Sequence, residues 1–175
     1  MGCSASASLK AAKAQEAKKK AKVVISLTPE EKAIILETWK LIEPYQRIVG
    51  KTLFLRFFKE HPTYQDLFPE FRGLSRDDLK STRVLYGHAS RVMKAIETAV
   101  ASMDNIQAFS AYLEDLGARH NKRALKAAHL MDMQDAFLFA VREVLLSRWS
   151  SDMSMAWNKL FTFVAGTMIH GCQNS

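Results

Sequence analysis

Apolar side chains recur with a helical period along most of this chain, and this periodicity constrains its fold more than any other feature. Val84, His88 and Val92 fall on one stripe, because residues three or four apart share a helix face. Leu116 and His120 share a second stripe. No segment alternates apolar and polar residues as a half-buried strand would. The sequence therefore predicts an all-α fold.

Capping signals divide the body of the chain into about eight helices. Thr28-Pro29-Glu30-Glu31 reads as a capping box with proline at the first helical position. Two long amphipathic helices are expected near residues 126–149 and 152–171. The other helix starts are predicted at Pro44, Pro62, Ser75 and Asp104 or Asn105. Such a set of helices suits packing around a pocket.

Composition limits the class of protein. The 175 residues suffice for one domain, and 48% hydrophobic content with only 7 glycines and 4 prolines favours helices. The two cysteines, Cys3 and Cys172, lie at opposite ends of the chain, so a disulfide framework is not expected and a reducing, cytoplasmic compartment is favoured. No secretory signal and no membrane-spanning apolar run is visible.

Positive charge is concentrated at the N-terminus, so residues 1–24 are predicted to form a flexible basic arm and residues 25–175 a folded domain. Residues 1–22 carry six lysines against Glu16 alone, whereas the rest of the chain carries a net charge of only +2. A nearly neutral body gives little support for nucleic-acid binding.

The first residues of this arm match an acylation signal. MGCSAS fits the M-G-x-x-x-[ST] pattern for myristoylation at Gly2, and the adjacent Cys3 would suit palmitoylation. One myristoyl chain binds membranes only marginally, so stable anchoring needs a second signal. Cys3 and the lysines, which would attract anionic lipids, both offer one. The alternative is a solvated Ala/Lys tail that merely begins with glycine.

His88 and His120, each on the apolar face of a predicted helix, suggest that the protein binds a metal-carrying macrocycle. Imidazoles that face each other across an apolar slot can hold a flat iron macrocycle between two helices. The alternative is that each is a hydrogen-bonded core residue. His61, His129 and His170 are interpreted as polar-face or terminal residues without a metal site. Signatures of other enzymes, such as G-x-S-x-G, H-E-x-x-H and C-x-x-C, are missing.

Several residues, in order along the chain, carry a family resemblance. They are Trp39, Gly50, Phe54, the segment HPTYQDLF with Pro62 and Phe68, the pair His88 and Val92, and the pair Leu116 and His120. Over about residues 28–171 the chain resembles the globin family. That resemblance implies a globin fold around haem b, with iron ligated by His120. His88 would bind either a ligand or the iron itself.

The resemblance also implies a lining for the haem pocket. His120 would bind iron through Nε2 while its other ring nitrogen donates to a backbone carbonyl near Leu116. Phe54, Phe68 and Val92 would keep the pocket dry, and Leu125 and Met133 would close its far wall. Arg91 and Arg123 are candidates to pair with the haem propionates, although Arg91 could equally be a solvated helix arginine.

The acylation signal narrows the resemblance to the membrane-associated globin X group, which is similar to neuroglobin. This implies a hexacoordinate protein with both His88 and His120 on iron, at the cytoplasmic face of the plasma membrane. Ligands would be O2, NO, CO or nitrite, and an electron-donor reductase is expected. Redox signalling, nitrite reduction and lipid protection are the implied functions, so an enzymatic activity stays open. The alternatives are conventional oxygen storage or transport and a haem-free helical adaptor.

Overall fold

The computed structural model describes residues 27–175, and every regular element in this range is a helix. The seven α-helices are Pro29–Ile42 (α1), Gln46–Glu60 (α2), Arg76–Ser81 (α3), Arg83–Ala101 (α4), Ile106–His120 (α5), Ala127–Leu145 (α6) and Ser151–Gln173 (α7). The 3₁₀-helices are Glu43–Tyr45, Pro62–Leu67, Pro69–Phe71, Asn121–Arg123 and Leu146–Arg148. The predicted basic arm, with Gly2 and Cys3, lies outside the described residues.

Side-chain caps begin α1 and α3 where the sequence predicts them, whereas α2 begins at Gln46, two residues after the predicted Pro44, without a side-chain cap. The Thr28 hydroxyl accepts a hydrogen bond from the Glu31 backbone N–H at 3.2 Å, and the Glu31 carboxylate accepts one from the Thr28 N–H at 2.9 Å. Ser75 and Asp78 form the same reciprocal pair at the start of α3. These contacts satisfy backbone donors that a helix leaves free in its first turn, and so they fix where α1 and α3 begin.

The long C-terminal helices end or begin at positions that differ from the sequence prediction. α6 stops at Leu145 rather than near residue 149, because Leu146 adopts a positive φ of 52° that the α-helix cannot accommodate, and a 3₁₀ turn follows. Ser150 then caps α7, which begins at Ser151 and continues to Gln173. An apolar period alone does not reveal such a break, because the pattern continues through the turn.

The helices pack around a slot between α4 and α5, and α6 also packs against α7. α2 packs against α4 and α6, while α5 and α1 pack against α7. The backbones of α5 and α7 approach most closely at Gly117 and Gly171, where a Cβ atom would overlap the carbonyl oxygens of Met168 and Glu114 respectively. Only glycine allows this approach, and it anchors the end of α5 against the last helix.

The described helices differ from membrane spans in length or polarity. Within residues 27–175, none is both long enough and apolar enough to cross a lipid bilayer.

Candidate functional site

An apolar slot of about 410 Å³ lies between α4 and α5, within the size range of small-molecule sites. α2 closes one end with Leu53 and Phe57, and α7 forms a wall that includes Trp157 and Phe161. His88 and His120 both line this slot, one from each of the two helices that flank it. The structure therefore brings together the two histidines that the sequence singled out.

Backbone geometry fixes the orientation of the His120 ring. Its Nδ1 lies 2.8 Å from the carbonyl oxygen of Leu116, one turn earlier on α5. A carbonyl only accepts, so Nδ1 must carry the hydrogen and donate it. The neutral ring then keeps a lone pair on Nε2, which is the form in which histidine binds metals.

His88 is held differently, by aromatic rings and one arginine. Phe54 and Phe68 meet its ring edge-on, each with ring centroids 5.1 Å away, and Phe71 does so at 6.1 Å. An Arg91 guanidinium nitrogen lies 3.1 Å from His88 Nδ1. Burial first, and then the charge of Arg91, lower the pKa of His88 to about 4. The imidazole is therefore neutral at physiological pH.

Three exposed arginines border the slot. Arg91 belongs to α4, Arg119 to α5, and Arg123 to the 3₁₀ turn that follows α5. An apolar cavity with several guanidinium groups at its edge suits a flat apolar molecule that carries carboxylates on one side. The sequence prediction included Arg91 and Arg123 but missed Arg119, because that residue adjoins His120 and reads as a helix-end charge.

Nine of the ten residues predicted to contact the cofactor line the slot. They are Phe68, His88, Arg91, Val92, Leu116, His120, Arg123, Leu125 and Met133. Phe54 does not line it. Its ring is fully buried behind His88, with Phe57, Phe58 and Phe68 around it. Phe54 supports the His88 ring from behind, which corrects its predicted position on the pocket wall.

Sequence reasoning missed the contribution of α7. Trp157, Phe161 and Val164 all line the slot. The helical period identifies the buried face of α7, but it cannot say which part of that face meets a neighbouring helix and which part meets a cavity. A tryptophan and phenylalanine four residues apart provide the only local signal, and core packing gives the same pattern.

His129 belongs to a separate cluster of side chains at the edge of the slot. The His129 ring also lines the slot and contacts the Tyr64 ring with centroids 4.6 Å apart. The Tyr64 hydroxyl donates to Asp132 at 2.8 Å, and His61 Nε2 lies 3.6 Å from the same carboxylate. In the part of the chain that the structure describes, no three His, Cys, Asp or Glu side chains form a group able to hold a metal ion.

Comparison with known proteins identifies the family. The globin family model matches residues 51–168 of the 175. The chain belongs to the globin family. Globin-1 of Petromyzon marinus is 35% identical over 100 residues, which are 57% of this chain and 67% of that globin. Neuroglobin-1 of Oncorhynchus mykiss is 26% identical over 147 residues, 83% of this chain and 92% of that protein.

A solved structure confirms the globin fold. The crystal structure of a hexacoordinated heme protein from an anhydrobiotic tardigrade superposes with a TM-score of 0.80. The match covers 85% of this chain and 97% of that protein, at 22% sequence identity. At that identity the likeness establishes the fold alone. The all-α globin architecture predicted from the sequence is therefore correct.

Membership of the globin family implies haem and small gaseous ligands such as O2, and the residues of the slot fit a haem. The walls are apolar, an imidazole with a bare Nε2 lines one side, and guanidinium groups border the edge where two carboxylates would lie. Each feature matches one part of the group: the macrocycle, the iron and the propionates.

Proposed function

We propose that this globin binds haem b through His120 and reversibly binds O2 and other diatomic ligands, with His88 as a second axial ligand in the resting state. The observation that carries the proposal is the hydrogen bond from His120 Nδ1 to Leu116, in a slot that His88 also lines. It leaves His120 Nε2 free for iron and fixes the ring that bears it.

Haem iron supplies reversible binding of diatomic molecules and one-electron redox chemistry. The protein supplies the surroundings for this chemistry. Phe68 and Val92 exclude water from the slot, and the Leu116 carbonyl orients His120. Arg119 and Arg123, which also line the slot, would neutralise the propionates. His88 either coordinates or, once displaced, offers a hydrogen bond to the incoming ligand.

Two features support coordination by His88. Its ring is neutral and faces the slot among aromatic side chains, and a neutral imidazole is a good iron ligand. Neuroglobin-1 of Oncorhynchus mykiss aligns with most of this chain, and the tardigrade protein of the same fold is described as hexacoordinated. A resting form in which only His120 binds iron would instead support conventional oxygen storage or transport.

Absorption spectra of the reduced protein, with and without CO, test the proposal. We expect low-spin bands without CO, and we expect His88→Leu to convert them to high-spin bands while haem stays bound. His129→Leu is the matched control, because His129 also lines the slot and its loss should leave the low-spin bands in place. A high-spin wild type would favour oxygen storage or transport.

His120→Ala tests the primary ligand. We expect this variant to purify with little haem and a weakened Soret band, because the slot would lose its iron ligand. An unchanged Soret band and haem content would contradict the proposal. A wild-type protein that folds fully without any haem in haem-starved cells, and never binds it stoichiometrically, would instead support a haem-free adaptor.

We further propose that the N-terminal arm anchors this globin at the cytoplasmic face of the plasma membrane. The M-G-x-x-x-[ST] pattern at Gly2, the adjacent Cys3 and six nearby lysines support this proposal, and together they resemble the globin X group. A haem held there would serve redox signalling, nitrite reduction to NO or protection of lipids, with electrons from a reductase. Anionic lipids are then a direct partner.

Membrane fractionation tests the anchor independently of the haem site. We expect Gly2→Ala, which removes the acceptor amine for myristate, to shift the protein from the membrane to the soluble fraction of eukaryotic cells. Ser8→Ala is the matched control, since it changes the same arm outside the motif. Equal membrane fractions for the wild type and Gly2→Ala would contradict the anchor and leave the haem proposal intact.

A further inference from the structure

The two slot histidines have opposite hydrogen bonds on the same ring atom. His120 Nδ1 faces the Leu116 carbonyl at 2.8 Å, so it donates. His88 Nδ1 faces an Arg91 guanidinium nitrogen at 3.1 Å. A guanidinium has five N–H donors and no acceptor, so His88 Nδ1 must accept. The two imidazoles are therefore held in different tautomers.

Acceptance at Nδ1 decides where the hydrogen of the His88 ring lies. A neutral imidazole carries one N–H, and if Nδ1 accepts then Nε2 holds the hydrogen. A doubly protonated ring could not accept from Arg91 at all. Three phenylalanine rings around His88 favour the uncharged form. The Arg91 contact thus implies a hydrogen-bond donor, not a lone pair, at Nε2 of the neutral His88 ring.

No carboxylate competes for Arg91 among the described residues. Within residues 27–175, none of the ion pairs shorter than 4.0 Å includes Arg91. Glu70 is the acidic group whose charge acts on His88, and it is exposed. Arg91 lies one turn after His88 on α4, so helix geometry keeps the guanidinium within reach of the ring.

We propose that Arg91 controls whether His88 coordinates iron, by holding it in the tautomer that donates from Nε2. This inference rests on the proposed function, because it concerns the equilibrium between bound and displaced His88. Nε2 can bind iron only after it loses its hydrogen, and the ring hydrogen must then move to Nδ1. There it would oppose the Arg91 donor. Arg91 therefore weakens coordination and favours a polar ligand that accepts from Nε2–H.

This role differs from that of a usual group behind a metal-binding histidine. Ligating histidines normally donate their second N–H to a carbonyl or carboxylate, as His120 does to Leu116. Arg91 instead places a hydrogen-bond donor, not an acceptor, beside Nδ1 of His88. Arg91 is thus a positioning residue that acts through the His88 ring, and this is distinct from the propionate contact predicted for it from the sequence.

NMR of the ferrous CO complex tests the tautomer directly. CO displaces His88, and the diamagnetic complex allows two-bond ¹⁵N–¹H correlations that show which nitrogen carries the hydrogen. We expect Nε2–H in the wild type and a mixture of tautomers in Arg91→Met. Lys94→Met is the matched control, because it removes one exposed cation from the same helix and should keep Nε2–H. An Nδ1–H wild type would overturn the inference.

The coordination equilibrium gives the second readout. Loss of a charge-assisted hydrogen bond at an exposed arginine should raise the ratio of bound to displaced His88 by about three- to tenfold in Arg91→Met. Low-spin absorbance and the CO binding rate, which falls as His88 occupies iron, both measure this ratio. Lys94→Met should match the wild type.

The outcomes separate the inference from the proposed function. A low-spin wild type whose ratio does not change in Arg91→Met overturns the inference and leaves the proposed function standing. A high-spin wild type overturns the resting state proposed above. In that case, low-spin bands in Arg91→Met would still support the inference, and their absence there would overturn it as well.

Discussion

Single hydrogen bonds decide the chemistry of the slot at the residue scale. Leu116 and Arg91 each contact one imidazole nitrogen, and each contact favours one position for the hydrogen of that ring. The His120 contact is partly buried, where hydrogen bonds are stronger because water is excluded, whereas the Arg91 contact is exposed. The Leu116 contact uses a backbone carbonyl that any residue would supply, whereas the Arg91 contact depends on the guanidinium side chain.

Cys172 is a buried thiol, and its reactivity is predictable. Its Sγ donates to the Gly117 carbonyl oxygen at 2.9 Å, and burial raises the pKa of the thiol. Since the thiolate is the nucleophile, we expect iodoacetamide to label Cys172 slowly in the folded protein at pH 8 and rapidly in denaturant. Peptide mass spectrometry would follow this site alone. Equal rates in the two conditions would contradict its burial.

The same shift makes stability depend on pH. The raised pKa means that the folded state holds its thiol proton at a pH where the unfolded chain has lost it. The contribution of Cys172 to the free energy of unfolding is thus complete below the usual thiol pKa of about 8.5. It declines as pH rises above that value. Urea titrations at pH 7 and pH 9.5 should show a smaller pH dependence in Cys172→Ala than in the wild type.

Among the contacts between helices, the crossing of α5 and α7 does most to position His120. Gly117 lies three residues before His120, so this contact fixes the position of the C-terminal end of α5 against α7. Cys172 adds a hydrogen bond at the same crossing. The α5 and α7 backbones therefore lie in close contact beside the residue proposed to bind iron, which explains a glycine inside the helix there despite its low helix propensity.

A pair of glycine substitutions tests this crossing. In Gly117→Ala the new Cβ would overlap the Met168 carbonyl, so we expect a loss of about 2–3 kcal/mol in the free energy of unfolding. Gly87→Ala is the matched control: it lies in α4, and the nearest atom to its Cβ would be 3.9 Å away. Alanine should stabilise that position by about 0.5–1 kcal/mol. Urea denaturation measures both, and equal effects would contradict the account.

The elements show how far the sequence alone could lead. Apolar periods and caps predicted the described helices, because those signals are local, and the lining of the slot was predicted from the resemblance to globins. The end of α6 at Leu145 and the position of Phe54 behind His88 were not predictable, since both depend on long-range packing. The partner of Arg91 was also missed, because a solvated arginine and a ring-bound arginine look the same in sequence.

Haem and fold stabilise each other at the scale of the whole molecule. The slot is assembled from α2, α4, α5, α6 and α7, so it exists only when the chain is folded. A group that binds the folded state alone shifts the folding equilibrium toward it. Haem removal therefore weakens every helix that lines the slot, not only the two that bear histidines.

Thermal unfolding measures this linkage. With free haem at a thousand times its Kd, we expect a stabilisation of about 4 kcal/mol over the haem-free protein, and a higher Tm. His120→Ala is the control, because its affinity for haem should be low and its Tm should change little when haem is added. Circular dichroism at a helix band would follow both. Identical melting curves for the haem-free and haem-loaded wild type would contradict the linkage.

The wall supplied by α7 has a consequence for biosynthesis. Both histidines and the α4, α5 and α6 sides of the slot leave the ribosome before Trp157, Phe161 and Val164 do. Until those three side chains emerge, the slot of a nascent chain lacks one wall and stays open to water, so it cannot enclose the haem. Stable capture therefore has to wait for translation of the last helix, and a chain stalled before it would be a poor receptor.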